Sequence, residues 1–263
     1  VPTPTRAALL AAWGTAALAG RVDIDAAVVA IERADEAHLV CSGLDQPEEL
    51  GEALQRLRAE GVLGLRLVLP VPGDLLGLRG PAEVNRAALA VGEAVLGVHR
   101  AQGAARWVPA LVPAVRTFGP PGDEGHCVTW RCLPAAAGPP DGLTVAGADR
   151  ELREALQACT EQLQRLDVAT WQSGARQAQA LREARPVLRL PDDVDPRAAA
   201  LADRALHLLD VAEAAAGDDG GSVSAHAGAA RLAALAPLSR AARHALVAAC
   251  GAGLEAVLRQ PAR

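Results

Sequence analysis

Lysine, methionine and tyrosine are absent from this 263-residue chain, and phenylalanine occurs once, as Phe118. Asparagine also occurs once (Asn85), and isoleucine twice (Ile24, Ile31). The codons of these residues are rich in A and T. Alanine, arginine, glycine, proline, leucine and valine fill the chain instead, and their codons can be rich in G and C. The composition therefore points first to a GC-rich gene. That removes one tempting inference. All 26 basic residues are arginine, which would otherwise suggest phosphate recognition. Aromatics are 2% of the chain, so an aromatic core is excluded. Cohesion must come from Leu, Val and Ala, which favours helices.

Basic character is missing too. The net charge is −5. Neither half is basic, no arginine run occurs, and no aromatic–basic interleaving appears, so no nucleic-acid partner is expected. The five cysteines (Cys41, Cys127, Cys132, Cys159, Cys250) are widely spaced, with no C-x-x-C. They read as reduced thiols in a cytoplasmic protein. No apolar run reaches the ~18–20 residues of a bilayer span, so no membrane association is expected. Residues 6–19 have the outline of a signal peptide. A Thr5 cap and a Gly20 stop describe the same stretch as an ordinary first helix, and both readings stand. Walker, GxGxxG, GxSxG, HExxH, EF-hand and zinc-ribbon patterns are all missing.

What is present is punctuated secondary structure. A second helix follows a cap at Asp23, and Glu36–Cys41 reads as a strand. Asp45, Pro47 and Glu48 resemble the cap, first turn and capping-box acid of a helix with Leu50, Leu54 and Leu57 on its buried stripe. Gly64–Pro70 is a clear strand, and the Gly/Pro-rich loop Pro70–Pro81 leads from it into a helix over 82–92. Residues 93–99 and 126–133 read as strands. The stretch 106–117 is extended, and Pro109 and Pro113 mark it as an edge or bulged strand. Composition turns to Ala, Gly and Pro over 135–146, which marks a boundary. Beyond it, Leu152, Leu156, Cys159, Leu163 and Leu166 form a seam at heptad spacing. Asp167 caps a short helix holding Trp171 and Leu181. Asp195-Pro196 opens a helix that Gly217 stops, and Ser224 and Ser239 start two last helices separated near Pro237.

The loop Pro70–Pro81 is the candidate ligand site. Ligands of α/β sheets gather beyond strand carboxyl ends, and the following helix N-terminus favours anions. Asp74 and Arg79 are its polar groups, with Gly73 allowing close approach and Asn85 one helical turn on. The same residues also make a rigid β–α connection. No metal site is expected. His126 and Cys132 share a strand face but lie about 20 Å apart at ~3.3 Å per residue, and Cys127 points away. Asp192, Asp193 and Asp195 read as a solvated loop plus a cap, and His207, His226 and His244 as isolated helix residues. The tryptophans read as core anchors.

The segment RLVLPVPGDLLGLRGP with the helix after it, and the N-terminal AAWGTAALAG, resemble an uncharacterised protein family of high-GC actinobacteria. The resemblance implies no activity and transfers no site. The expected architecture is α+β. A mixed sheet of about five strands with flanking helices occupies residues 1–140, and a helical segment of four to five helices occupies 147–263. The expected role is non-enzymatic, through a protein partner or homo-oligomer and without a cofactor. The alternative is a small-molecule binder or enzyme using the loop at Gly73, Asp74, Arg79 and Asn85.

Overall fold

The computed structural model describes residues 6–33, 35–43, 46–99, 107–120, 122–138, 142–165, 188–217 and 225–260. The elements run α1 (Arg6–Leu18), α2 (Ile24–Glu32), β1 (Ala37–Ser42), β2 (Glu48–Glu49), α3 (Leu50–Ala59), β3 (Val62–Val68), α4 (Ala82–Val91), β4 (Ala94–His99), β5 (Trp107–Phe118), β6 (Gly125–Ala136), α5 (Val145–Arg165), α6 (Pro196–Gly217) and α7 (Ala225–Arg259). The chain divides into two compact units. One comprises Pro4–Gly142, Arg189–Val194 and Cys250–Arg263, and the other holds Leu143–Leu188 and Asp195–Ala249.

The first unit is α+β. Its sheet has the order β2-β1-β6-β5-β4-β3. It is mixed, because β1 and β6 run parallel while the other pairings are antiparallel. The sheet has six strands rather than the expected number of about five. Glu48 and Glu49 pair with Val40 and Leu39 as a short edge strand. That pairing also displaces the start of α3. Glu48 is not its third residue; Glu49 is the cap, and its N–H reaches the Glu52 carboxylate at 3.4 Å. Asp45 lies outside the described residues. The predicted stripe of α3 is buried at Leu50, Leu54 and Leu57. Asp23 caps α2 by accepting the Asp25 N–H at 2.9 Å.

Under α4 the sheet buries Val68, Leu96, Val108, Ala110, Val112 and Ala135 against Val84, Ala88 and Leu78. Helices α1 and α3 pack on the sheet as well, at β3 and at β1 and β3 respectively. Residues 6–18 are thus a core helix, buried from Ala7 to Leu18 except at Trp13. The Trp13 indole donates to the Arg189 carbonyl (2.8 Å), and Arg21 bonds both Asp193 (2.6 Å) and the Gly253 carbonyl (3.1 Å). These bonds tie two late segments of the chain to the helical start of the sheet unit.

The outer edge of β3 is closed by a side chain. The Thr15 hydroxyl accepts the Leu65 N–H at 2.9 Å and donates to the Ala11 carbonyl at 2.6 Å. A Cβ on neighbouring Gly64 would sit 2.8 Å from both Thr15 Cγ2 and Leu254 Cδ1. Thr15 is held by its hydrogen bonds and cannot retreat without breaking the edge. Gly64→Ala should therefore cost about 1.5 kcal/mol through overpacking, read as a Tm lowered by a few degrees in calorimetry.

The second unit is helical among its described residues. In α5, Ala148, Leu152 and Cys159 are buried, but Leu156 is 38% exposed. The expected seam is therefore narrower than its spacing suggested. Leu166, Trp171 and Leu181 fall outside the described residues. Asp195 caps α6 by accepting the Arg197 N–H at 2.8 Å. Pro237 does not separate two helices, because α7 runs through it. An interior proline costs about 3 kcal/mol. Here Ala234, Leu235, Leu238, Ala241, Ala242, Ala245 and Leu246 are buried on both sides of it, and that burial holds the helix together. Within α7, Gly228–Arg259 is long and apolar enough to cross a bilayer by length and composition, although 61% of its apolar window is buried inside the fold. Core helices of globular proteins share that character.

Candidate functional site

The loop after β3 is held rigidly. Val71 and Asp74 exchange backbone hydrogen bonds, both 2.9 Å, and close a tight turn with exposed Gly73 at its tip. Leu76 and Leu78 are buried anchors. The Asn85 side chain accepts the Gly80 N–H at 3.0 Å, and the Gly80 carbonyl accepts the Ala136 N–H at 2.9 Å. Asn85 thus fastens the loop to the first turn of α4. Asp74 is half-buried and Arg79 exposed. The Arg79 stem lies against Gly138, where a Cβ would come within 2.4 Å of Arg79 Cδ and Nε. Gly73 and Arg79 are therefore presented to solvent, Asn85 is engaged by the backbone, and Asp74 lies in the turn between them.

A second polar cluster was not anticipated from the sequence. It lies where α1, β1 and β6 meet. Arg6 Nε and Nη2 donate to the two Asp35 carboxylate oxygens, each at 2.7 Å. His38 Nε2 lies 3.0 Å from Asp35 Oδ2, and the Trp130 indole lies 3.2 Å from His38 Nδ1. An indole nitrogen can only donate. His38 Nδ1 must therefore accept, and the ring keeps its proton on Nε2, where it donates to Asp35. The His38 side chain is 0% exposed and that of Asp35 is 9% exposed. The Glu32 carboxylate accepts the His38 backbone N–H at 3.1 Å. Burial works against ionised Asp35, but the hydrogen bonds from His38 and Arg6 outweigh it and hold the carboxyl well below the usual range. Both histidine nitrogens are engaged, so the chain of groups fixes structure and leaves no free imidazole face for proton transfer.

Glu93 lies just before β4 and reaches the start of α1. Its carboxylate accepts the Ala7 N–H at 3.2 Å and so caps the helix from a distant segment. Burial pushes its pKa up to about 7, partly offset by the Ala7 hydrogen bond and by the charge of Arg6. Between the ordinary carboxyl value near 4.3 and 7, the folded state holds a proton the unfolded state has lost, so stability falls as pH rises through that window. Glu93→Gln keeps an acceptor and removes the charge. It should stabilise the protein by about 2 kcal/mol at pH 8 and by almost nothing at pH 4.5. Thermal melts of both proteins across that range check this, and a gain that does not depend on pH would refute it.

The other candidates are accounted for locally. His126 Nδ1 lies 3.1 Å from Thr117 Oγ1 on the neighbouring strand. Cys132 pairs in register with Ser42, and burial raises its thiol pKa. Asp193 and Asp195 hold Arg21 and the α6 start. His244 lies 3.8 Å from Glu151, whereas the His226 side chain lies outside the described residues. Among the described residues, no three His, Cys, Asp or Glu side chains are placed to hold a metal ion. An open groove in the helical unit is lined by Gln162, Arg165, Ala230, Ala233 and Ala234.

Sequence reasoning missed the Arg6–Asp35–His38–Trp130 chain because its members come from three separate segments. The one local signal was the spacing of Asp35 and His38, and the buried tryptophan on β6 was its other half.

The fold and this cluster define an α+β protein whose mixed sheet is pinned to its first helix by a buried polar chain. Residues 7–143 match the family model described as Rv1486c-like protein, N-terminal domain, and residues 146–247 match the Rv1486c-like protein, C-terminal domain. The chain belongs to this Rv1486c-like family, in agreement with the resemblance to a family of no assigned activity. No curated protein and no solved structure matches it.

Proposed function

We propose that the chain is a non-enzymatic cytoplasmic protein acting through protein–protein contact or self-association. The observation that carries this reading is strand β5. It exposes Trp107 (48%), Val115 (45%) and Phe118 (44%), and aromatic groups such as Trp107 and Phe118 are enriched at interfaces. The groups best suited to chemistry point the same way, since Asp35, His38 and Asn85 are engaged by their own neighbours. Light scattering over a range of concentrations, together with cross-linking from the native lysate, tests the proposal. Cross-links that map to β5 support it. A monodisperse monomer with no cross-linked partner overturns it.

The loop Pro70–Pro81 remains a second reading, as a small-molecule site formed by Gly73, Asp74, Arg79 and Asn85. It rests on a rigidly held backbone that presents an arginine to solvent beside a half-buried aspartate. A ligand screen by thermal shift on wild type and Asp74→Ala tests it, because a ligand that stabilises only the wild type would locate the site. No cofactor is part of either reading.

A further inference from the structure

The edge of β5 is incomplete. Its ladder with β4 has two register pairs, Val95↔Leu111 and Leu96↔Ala110. This ladder lies between Pro109 and Pro113. On the other side, the pairing with β6 runs unbroken from Trp107 to Phe118, through both prolines. The N–H groups that the prolines lack are therefore those that would aim at β4. By alternation, the odd-numbered residues of β5 aim their backbone groups to that side. Past Pro113 no described strand lies there, and Ala114–Phe118 are all exposed. Val115 and Thr117 thus present N–H and C=O groups outward without a strand partner among the described residues. The sheet's two outer edges differ. The Thr15 hydroxyl takes the Leu65 N–H at one, and the two-residue strand β2 forms the other.

We propose that this open segment of β5 accepts an added β-strand from a partner protein, and that the partner strand carries an acidic residue opposite Arg116. The proposal rests on the protein-contact reading and names its partner class. The backbone groups at Val115 and Thr117 call for an extended polypeptide. The charge on Arg116 selects which one. A second copy pairing about a two-fold axis in the register that uses the groups of both Val115 and Thr117 would join the two residues in both directions and set Arg116 directly opposite Arg116. Like charges facing each other across a ladder are unfavourable. A carboxylate at that position turns the same contact into an attractive one. Exposed Val115 and Phe118 lie on opposite faces of the strand and give the added strand apolar contacts on both sides.

The test uses the full chain labelled with nitrogen-15 and two capped peptides, TVEVT and its charge-reversed form TVKVT. TVEVT should shift the Val115 and Thr117 amides in a saturable way and bind roughly threefold or more tighter than TVKVT. Arg116→Glu should invert that preference. Thr117→Pro, which removes an outward donor, should abolish the Val115 shift while leaving the melting profile near wild type. Three results overturn the proposal: no shift of these amides at millimolar peptide, equal binding of both peptides, or concentration-dependent shifts of the same amides without peptide. The last outcome would sink strand addition yet leave the broader reading of protein contact standing.

Discussion

Trp130→Ala is expected to lower the free energy of unfolding of the sheet unit by about 4 kcal/mol. Trp130 is fully buried and is the largest such side chain among the described residues. Two separate losses combine. Removing the indole leaves a cavity among close-packed neighbours that relax only in part. It also takes away the N–H that the buried His38 Nδ1 accepts at 3.2 Å, and a buried acceptor without a donor costs about 1–3 kcal/mol. Trp130→Phe separates the two, because it restores most of the volume and none of the donor. Its cost should be roughly half as large. Urea unfolding followed by circular dichroism gives both numbers. If the two variants lose equal stability, the hydrogen bond rather than the volume dominates. If neither loses more than about 1 kcal/mol, the buried chain of groups does not organise this region.

Asp35→Asn is expected to cost about 3 kcal/mol at neutral pH. Asp35 receives two hydrogen bonds from Arg6 and one from His38. An asparagine can satisfy only part of that arrangement and leaves the half-buried Arg6 without its counter-charge. The pH dependence identifies the cause. The folded carboxyl is depressed below its unfolded value, so its contribution is present above about pH 4 and is lost as pH falls toward the folded value. The gap between wild type and Asp35→Asn should therefore close in acid. The Glu93→Gln effect runs the other way and grows toward alkaline pH, so the two variants separate the two carboxyls near α1 by sign alone.

Much of the local architecture was legible because it is written in short-range physics. Asp23 and Asp195 announce helix starts since a side-chain oxygen must accept an orphan N–H. The strand at 64–70, the helix after Pro81 and the stripe at Leu50, Leu54 and Leu57 follow from hydrophobic period and punctuation. The misreadings arise where tertiary contacts override a local signal. Glu48 looked like a capping acid until its pairing with Val40 made it a strand. Pro237 looked like a break until burial on both sides carried α7 through it. Pro109 and Pro113 suggested an edge or bulged strand. The structure sets β5 between β6 and β4, and confines its pairing with β4 to the interval between the prolines. Of the loop residues, Asn85 proved to be a clamp on Gly80, a bond that no spacing rule specifies.

The absences in the sequence determined the material of this protein. With one phenylalanine, no tyrosine and no methionine, the core had to be mainly alanine, leucine and valine, and among the described residues it is. Helix starts and strand positions were likewise set by the chain itself, through capping and alternation. Only the tertiary structure decided what the few larger and polar residues do. It brought Arg6, Asp35, His38 and Trp130 into one hydrogen-bonded chain, set Glu93 at the start of α1, and left one stretch of β5 without a strand neighbour among the described residues. Hydrogen bonds and charge pairs act over a few ångströms, and segments far apart in sequence come within that range only when the fold closes.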